Sequence, residues 1–278
     1  MLLSFEILQQ ILLEMDHEHK KQLLQAEAAE DDESFFRLQV DGAIKHLTVE
    51  QGVYSVEDMC FAPSLFSILP SFPPGDWNDG LVSKDASGQP FFARATRTQF
   101  PSVENKWHNI FIDYSDLSIG KKVRTGVYEV TSPHIKGTVI AKFARFEWEI
   151  TYLENETTAY QWIEGHNIGP RFLGHLTEGD RVIGFLMERI VNARNAGPGD
   201  LDTCQRELSK LHQLGLRHGD VNRINFLVQG SRAVLLDFDT ARKCDDQDRL
   251  CQELEALPEA LGSASTRGGG GLTCVDTN

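Results

Sequence analysis

The spacing of apolar residues changes along the chain, and each spacing predicts a different element. Phe5, Leu8, Leu12 and Met15 step by three and four residues and predict an amphipathic helix. Glu6, Gln9 and Gln10 break up this apolar run and no basic leader accompanies it, so neither a signal peptide nor a membrane span is expected there. The charge run EAAEDDE at residues 27–33 predicts that the helix ends in a solvated loop. In RLQVDGAIKHLTV, apolar positions alternate on both sides of Asp41-Gly42, the pattern of a β-hairpin closed by a tight turn. Residues 62–90 are rich in Pro, Gly, Ser and Asp and read mostly as loop. FFARATRTQF and NIFID, between Phe91 and Asp113, read as further strands.

From about Tyr114 the pattern settles into short strand and helix units. Thr138-Val139-Ile140-Ala141-Lys142-Phe143-Ala144 is a strand-like apolar run with one lysine inside it. Residues 147–164 suit a helix on which Tyr152, Leu153, Ala159, Tyr160 and Ile163 share a face, with Glu156 in its middle and Glu154 pointing to solvent. Leu201, Cys204, Leu208 and Leu211 form a helical stripe that Gly215 can terminate. Phe226-Leu227-Val228 and Ala233-Val234-Leu235-Leu236 read as strands flanking a turn. The tail STRGGGGLTCVDTN reads as flexible, because consecutive glycines cannot pack a core. The expected organisation is a helix with an acidic loop over 1–33, a β-rich extension over 34–113, a compact α+β domain over 114–262 and a Gly-rich tail over 263–278.

Composition narrows the function. A hydrophobic content of 41% in 278 residues permits a sizeable core. The net charge of −14 argues against general nucleic-acid binding, which draws its affinity from Lys and Arg on phosphates. Cys60, Cys204, Cys244, Cys251 and Cys274 are odd in number and contain no C-x-x-C pair, so neither a disulfide framework nor a zinc site is expected. A reducing compartment, cytoplasm or nucleus, follows as the expectation.

Several residues can carry chemistry. In His218-Gly219-Asp220-x-x-x-x-Asn225, a carboxylate and an amide stand at the two ends of one loop. The carboxylate can take a proton from an attacking hydroxyl while the amide oxygen binds a metal; ordinary turn hydrogen bonds explain the same residues about equally well. Asp237-Phe238-Asp239 at the end of an apolar strand supplies a second oxygen ligand of the kind magnesium prefers, and together the two motifs favour chemistry. Lys142 inside an apolar strand needs negative charge unless it lies on an exposed edge, and Glu156, an inward carboxylate, is its expected partner, with Glu149 second. Gly120 and Gly126 suit a hairpin whose backbone folds over phosphates, though a plain hairpin uses the same glycines. Lys121, Lys122 and Arg124 add positive charge beside them or simply face solvent.

The order of these motifs resembles the protein-kinase superfamily over residues 115–245: a glycine-containing hairpin, V-I-A-K, a helix with an inward Glu, H-G-D-x-x-x-x-N and D-F-D. The H-G-D loop resembles aminoglycoside and choline kinases, and D-F-D resembles the RIO and lipopolysaccharide-kinase branches. GPRFLGH at 169–175 and RVIGF at 181–185 are similar to a family of small fungal kinase-like proteins, some of which carry an α-galactosidase label. A glycosidase needs two carboxylates across a sugar site, whereas these carboxylates are explained as base and metal ligands. The resemblance implies a two-lobed α+β fold binding ATP and Mg2+. Lys142 would contact the phosphates and pair with Glu156, and Asp220 would be the catalytic base. Asn225 and Asp237 would be metal ligands, His218 a support for the loop, and the segment around Met187 and Glu188 the adenine hinge. Gly219 stands where protein kinases carry an arginine, Asp239 replaces the glycine of D-F-G, and no A-P-E segment follows Ala241, so a truncated C-terminal lobe is expected. The implied function is phosphoryl transfer from ATP to a hydroxyl on a protein or small molecule. The alternative is a nucleotide-binding pseudokinase acting as an interaction module; nucleic acid and membrane are not expected partners.

Overall fold

Asp41 and Gly42 both adopt positive φ, 52° and 83°, as a two-residue hairpin loop requires, and this turn sets the register of the first sheet. Ser34–Val40 (β2) and Ala43–Val49 (β3) pair antiparallel from Val40↔Ala43 outward. In the computed structural model, which describes residues 21–263, the chain divides into two compact units at Phe100/Pro101.

The first unit is a five-stranded sheet in the order β1-β2-β3-β4-β5, with β1 at Lys21–Glu27, β4 at Asp79–Lys84 and β5 at Pro90–Thr96. Strands β3 and β4 run parallel, joined by a crossover carrying two short helices, Val56–Cys60 (α1) and Ala62–Ile68 (α2). Phe36, Leu38, Leu47, Val49, Met59, Leu65 and Val82 form its core.

Two sequence expectations change here. Residues 21–27 are a strand rather than the end of a helix, because the free edge of β2 takes up their backbone from Lys21↔Val40 to Glu27↔Phe35. The stripe Phe5, Leu8, Leu12, Met15 lies outside the described residues. Residues 62–90 contain both α2, whose first turn accommodates Pro63, and β4, so the stretch is less loop-like than its composition. In β4 the missing side chain of Gly80 lets Trp77, Leu47 and Phe92 close in.

The second unit begins before Tyr114, because Val103 N–H donates to Val182 O (2.9 Å) and Phe111–Asp113 (β6) joins its sheet. That six-stranded sheet has the order β6-β10-β11-β9-β8-β7, with β7 at Ser118–Arg124, β8 at Val127–Ser132, β9 at Ile135–Phe143, β10 at Phe172–Glu178 and β11 at Arg181–Met187. Only the β6–β10 pair in it is parallel. Helix Ile150–Ile163 (α3) packs on the sheet through Ile150, Leu153, Ala159, Tyr160 and Ile163.

Beyond the sheet lie a short strand Arg194–Asn195 (β12), helix Leu201–Gln213 (α4), strand Leu216–Arg217 (β13) and the hairpin Phe226–Gln229 (β14) with Arg232–Leu235 (β15). Arg242–Lys243 (β16) pairs with β13, and helix Gln247–Gly262 (α5) closes the unit. Among the described residues no helix is long and apolar enough to cross a membrane.

Candidate active site

Strand β9 runs between β8 and β11, so Lys142 starts from the sheet interior, on the face opposite the buried Val139, Ala141 and Phe143. The room is set by Gly184 on β11, where an added Cβ would come 2.1 Å from Lys142 O. The Lys142 side chain, 13% exposed, makes ion pairs with Glu156 and with Asp237 Oδ1. Glu156 is on α3 and 1% exposed. Its Oε1 also accepts from Phe238 N (3.3 Å), which ties the helix to the segment after β15.

Asp237, two residues beyond that strand, lies in the left-handed region, at φ 65° and ψ 65°. A non-glycine residue adopts this conformation at a cost, so the surroundings must hold it. They do so through Phe238, which is fully buried with its ring 5.4 Å from those of Tyr160 and His218. Arg124, the last residue of β7, spans both Asp237 oxygens: Nη1 to Oδ2 at 2.9 Å and Nη2 to Oδ1 at 2.8 Å.

Four charged groups from four parts of the chain therefore share one largely buried locus at the wall of a cavity. Burial alone would raise the Asp237 carboxyl, but Lys142 and then Arg124 hold it well below the usual carboxylate range. Burial opposes the Lys142 charge, and Glu156 followed by Asp237 outweighs it, so its ammonium titrates above its ordinary value. Burial pushes Glu156 upward against the pull of Lys142. Asp239 is also raised, by burial and by Asp237.

The loop 218–225 is built separately and then tied in. Gly215 ends α4 at φ 68°, and Gly219 turns the chain at φ 88°, where a Cβ would lie 2.8 Å from Thr240 O. His218 is fully buried; its Nε2–H donates to Leu236 O (2.9 Å) and its Nδ1 accepts from Asp220 N (3.4 Å). Asn225 Nδ2 donates to Asp220 O (2.9 Å) and Oδ2 (3.3 Å), and Asn222 Nδ2 reaches the same Oδ2 at 3.2 Å. Leu236 N–H donates to Asn225 O (2.9 Å), so the loop is tethered to the residue preceding Asp237.

Asn225 Oδ1 is buried with no hydrogen-bond partner among the described residues. A buried amide oxygen is costly in that state, and a hard cation is one partner that would satisfy it. The donor set suits magnesium: an amide oxygen from Asn225 and a carboxylate from Asp237. Among the described residues no group of three or more His, Cys, Asp or Glu forms a metal cluster.

The remaining candidates are more scattered. Gly126 makes the β7–β8 turn at φ 71°, and its carbonyl accepts from Phe143 N (3.0 Å). Gly120 lies inside β7 instead of at a turn, beside a break in the β7–β8 register, with Glu129 O 3.0 Å from where its Cβ would be. Met187 is buried and its sulfur accepts from Tyr160 Oη (3.2 Å). Glu188, whose N–H donates to Arg171 O, lines a separate cavity of about 240 Å3 with Arg171, Arg189 and Arg232. A larger cavity of about 490 Å3 is lined by Arg124, Gly126, Lys142, Trp148, Tyr152 and Asp237.

On α3 two expectations shift. Tyr152 is 58% exposed instead of sharing the buried face, and Glu154 accepts from Glu104 N (2.6 Å) and Asn105 N (3.4 Å) instead of only facing water. Glu149, the second choice for Lys142, pairs with Arg145.

Sequence reasoning missed three residues. Asn222 carries the loop's internal bonds, its Oδ1 accepting from Ile224 N (2.9 Å) and Asn225 N (3.2 Å). Gly184 gives no local signal. Glu253 on α5 accepts from His218 N (3.0 Å) and Gly219 N (2.7 Å) and pairs with His212 (2.8 Å), so it positions the loop. Burial would raise its carboxyl, but these donors, His212 first, hold it low. Glu253 lies in the apolar stripe Leu250, Leu257, Leu261, the same inward-carboxylate signal that marked Glu156.

No protein-family model matches the chain and no curated protein matches it, so the functional reading stands on this geometry and on the order of the motifs.

Proposed function

We propose that the second unit is a protein-kinase-like domain of two lobes with a shortened C-terminal part, and that it transfers phosphate from ATP to a hydroxyl on a protein or small molecule. The observation that carries this reading is Lys142 held between Glu156 and Asp237, with the Asp220–Asn225 loop tethered beside them. Phosphoryl transfer asks a protein mainly for positioning and electrostatics, and this locus offers both. Lys142 is the phosphate ligand, kept charged and aimed by its carboxylates. Asp220 is the general base for the acceptor hydroxyl, its Oδ2 oriented by Asn222 and Asn225. Asn225 Oδ1 and Asp237 would hold magnesium, which when bound offsets phosphate charge and links the nucleotide to the protein. The strand order β7-β8-β9-β11-β10 with α3 packed beside it is further support for the two-lobed reading.

One observation favours the second reading, a nucleotide-binding interaction module without turnover: the Arg124 guanidinium occupies both oxygens of the carboxylate that magnesium would use. A thermal-shift titration with ATP, with and without Mg2+, tests the nucleotide site. A ligand at a hundred times its Kd adds about 2.7 kcal/mol of stability, a rise of several degrees. The expected result is a Mg2+-dependent rise that Asp237→Asn abolishes and Asp220→Ala retains. No rise under any condition rejects the ATP site. A rise in the unaltered protein without phosphoryl transfer to any protein or alcohol offered selects the module.

A further inference from the structure

Arg124 is the group the proposed chemistry leaves without a task. Its guanidinium lies flat against the edge of Asp237, one nitrogen to each oxygen, with Lys142 also on Oδ1. A bidentate fork of this kind is the strongest hydrogen-bonded form of an arginine–carboxylate pair. The carboxylate edge it covers is the edge through which a metal would be ligated. That carboxylate already carries two positive groups, Arg124 and Lys142, and a divalent cation arriving at the same edge would add strong repulsion unless Arg124 withdrew. Arg124 cannot escape by losing its proton, since guanidinium stays charged in proteins. When it leaves Asp237 it needs another anion.

The strand that carries Arg124 is held on one side only, and irregularly. β7 is the edge of the six-stranded sheet, its side chains are exposed from Ser118 to Val123, and its ladder to β8 is broken on both sides of Lys122. Arg124 itself is anchored, with a side chain only 19% exposed, and it lines the 490 Å3 cavity together with Lys142. A nucleotide phosphate brought to Lys142 would therefore meet a planar fork suited to phosphate oxygens.

We propose that Arg124 is a displaceable latch, holding Asp237 until a divalent cation competes for its oxygens and then exchanging the carboxylate for a nucleotide phosphate. The latch rests on the nucleotide-binding reading above and adds a role to a residue that reading does not use. It predicts effects of opposite sign on two ligands. Removing Arg124 frees Asp237 for metal, and it also removes a phosphate ligand. A merely structural arginine would weaken both kinds of binding or neither.

The test measures Mn2+ alone by electron paramagnetic resonance and ADP in excess EDTA by calorimetry, on the unaltered protein, Arg124→Gln and Arg124→Lys. Arg124→Gln is expected to bind Mn2+ about tenfold more tightly and metal-free ADP about tenfold more weakly, the equivalent of one charge-assisted hydrogen bond. Arg124→Lys keeps the charge without the fork and should fall between. It decides the matter by the same signs if the glutamine variant does not fold. Unchanged or weaker Mn2+ binding in the folded variants, with Mg2+–ADP still bound by the unaltered protein, overturns the latch alone. Failure of all three proteins to bind Mn2+ or Mg2+–ADP overturns the latch and the nucleotide reading together.

Discussion

Each unit of this protein buries a lysine on a strand of its main sheet, and the two lysines are treated in opposite ways. Lys45 on β3 donates to the carbonyl of Trp77 (2.6 Å) and lies 4.0 Å from the centre of its indole ring. Burial lowers its ammonium, and the nearby Asp76 does not reverse this. Lys142 on β9 meets two carboxylates, and its ammonium is raised in spite of burial. The first arrangement is a local tie between an amphipathic side chain and neutral partners. The second gathers Arg124, Lys142, Glu156 and Asp237 from four separate parts of the chain, with Asp237 in a left-handed conformation. Buried ion clusters are a poor source of stability compared with apolar packing of the same volume. Their assembly in one unit, which also holds an orphaned buried amide oxygen on Asn225, makes that unit the candidate for a site, while the first unit offers only a core.

The largest test of that contrast compares Lys142→Met with Lys45→Met in denaturant unfolding. Removing Lys142 strands Glu156 in the interior, and a loss of about 3–5 kcal/mol is expected. Removing Lys45 gives up a hydrogen bond and a ring contact while stranding no carboxylate it pairs with, and about 1–2 kcal/mol is expected. Equal losses would dissolve the distinction between the two lysines.

A smaller effect separates two of the sheet glycines, Gly184 on β11 and Gly80 on β4. A Cβ at Gly184 would meet backbone, Lys142 O at 2.1 Å and Phe143 Cα at 2.6 Å, whereas at Gly80 it would meet side-chain atoms of Trp77, Leu47 and Phe92 at 3.0–3.2 Å. Side chains can yield and paired backbone cannot, so Gly184→Ala is expected to lose about 3 kcal/mol or more and Gly80→Ala about 1. Differential scanning calorimetry checks this, and a Gly184→Ala protein that melts like the parent would show that β9 and β11 can separate freely.

The smallest effect is a pH dependence expected of the second unit. Burial, with His108 and Lys106, holds the His175 imidazole down at about 4, against 6.5 in an unfolded chain. Between those values the unfolded state binds the proton first, so stability present above pH 6.5 is lost as pH falls toward 4. Asp237 adds to the loss further down: its depressed carboxyl stabilises the fold above about pH 3.9, the unfolded value, and less below it. In His175→Gln the melting temperature should depend less on pH between 6.5 and 4; an unchanged slope would assign the acid sensitivity to another group.

Local chemistry made parts of both units legible. The stripe Leu201, Cys204, Leu208, Leu211 and the stop at Gly215 are those of α4, and Asp41-Gly42 closes the hairpin where alternation placed it. Glu156 was readable as a carboxylate in an apolar stripe, and the pairing with Lys142 followed from charge alone. Tyr152 was misplaced because helical spacing gives the face of a residue but not how far the neighbouring sheet extends over it. The strand at residues 21–27 was hidden because its pairing comes from β2, which lies beyond the acidic loop in sequence.

The sequence by itself determined which residue types stand at the ends of which strands and helices, and from that the lysine, the carboxylates and the loop amide could be named. Periodicity and turn chemistry act over a few neighbouring residues, so a single chain carries them openly. Only the tertiary structure decided that Arg124 lies on Asp237, that Glu253 holds the loop amides, and that Gly120 lies within a strand. Those facts join residues as distant as 124 and 237, or 218 and 253, and no local pattern fixes such distances. They depend on how sheet, helices and loop pack, and buried polar groups then take the partners that packing leaves within reach.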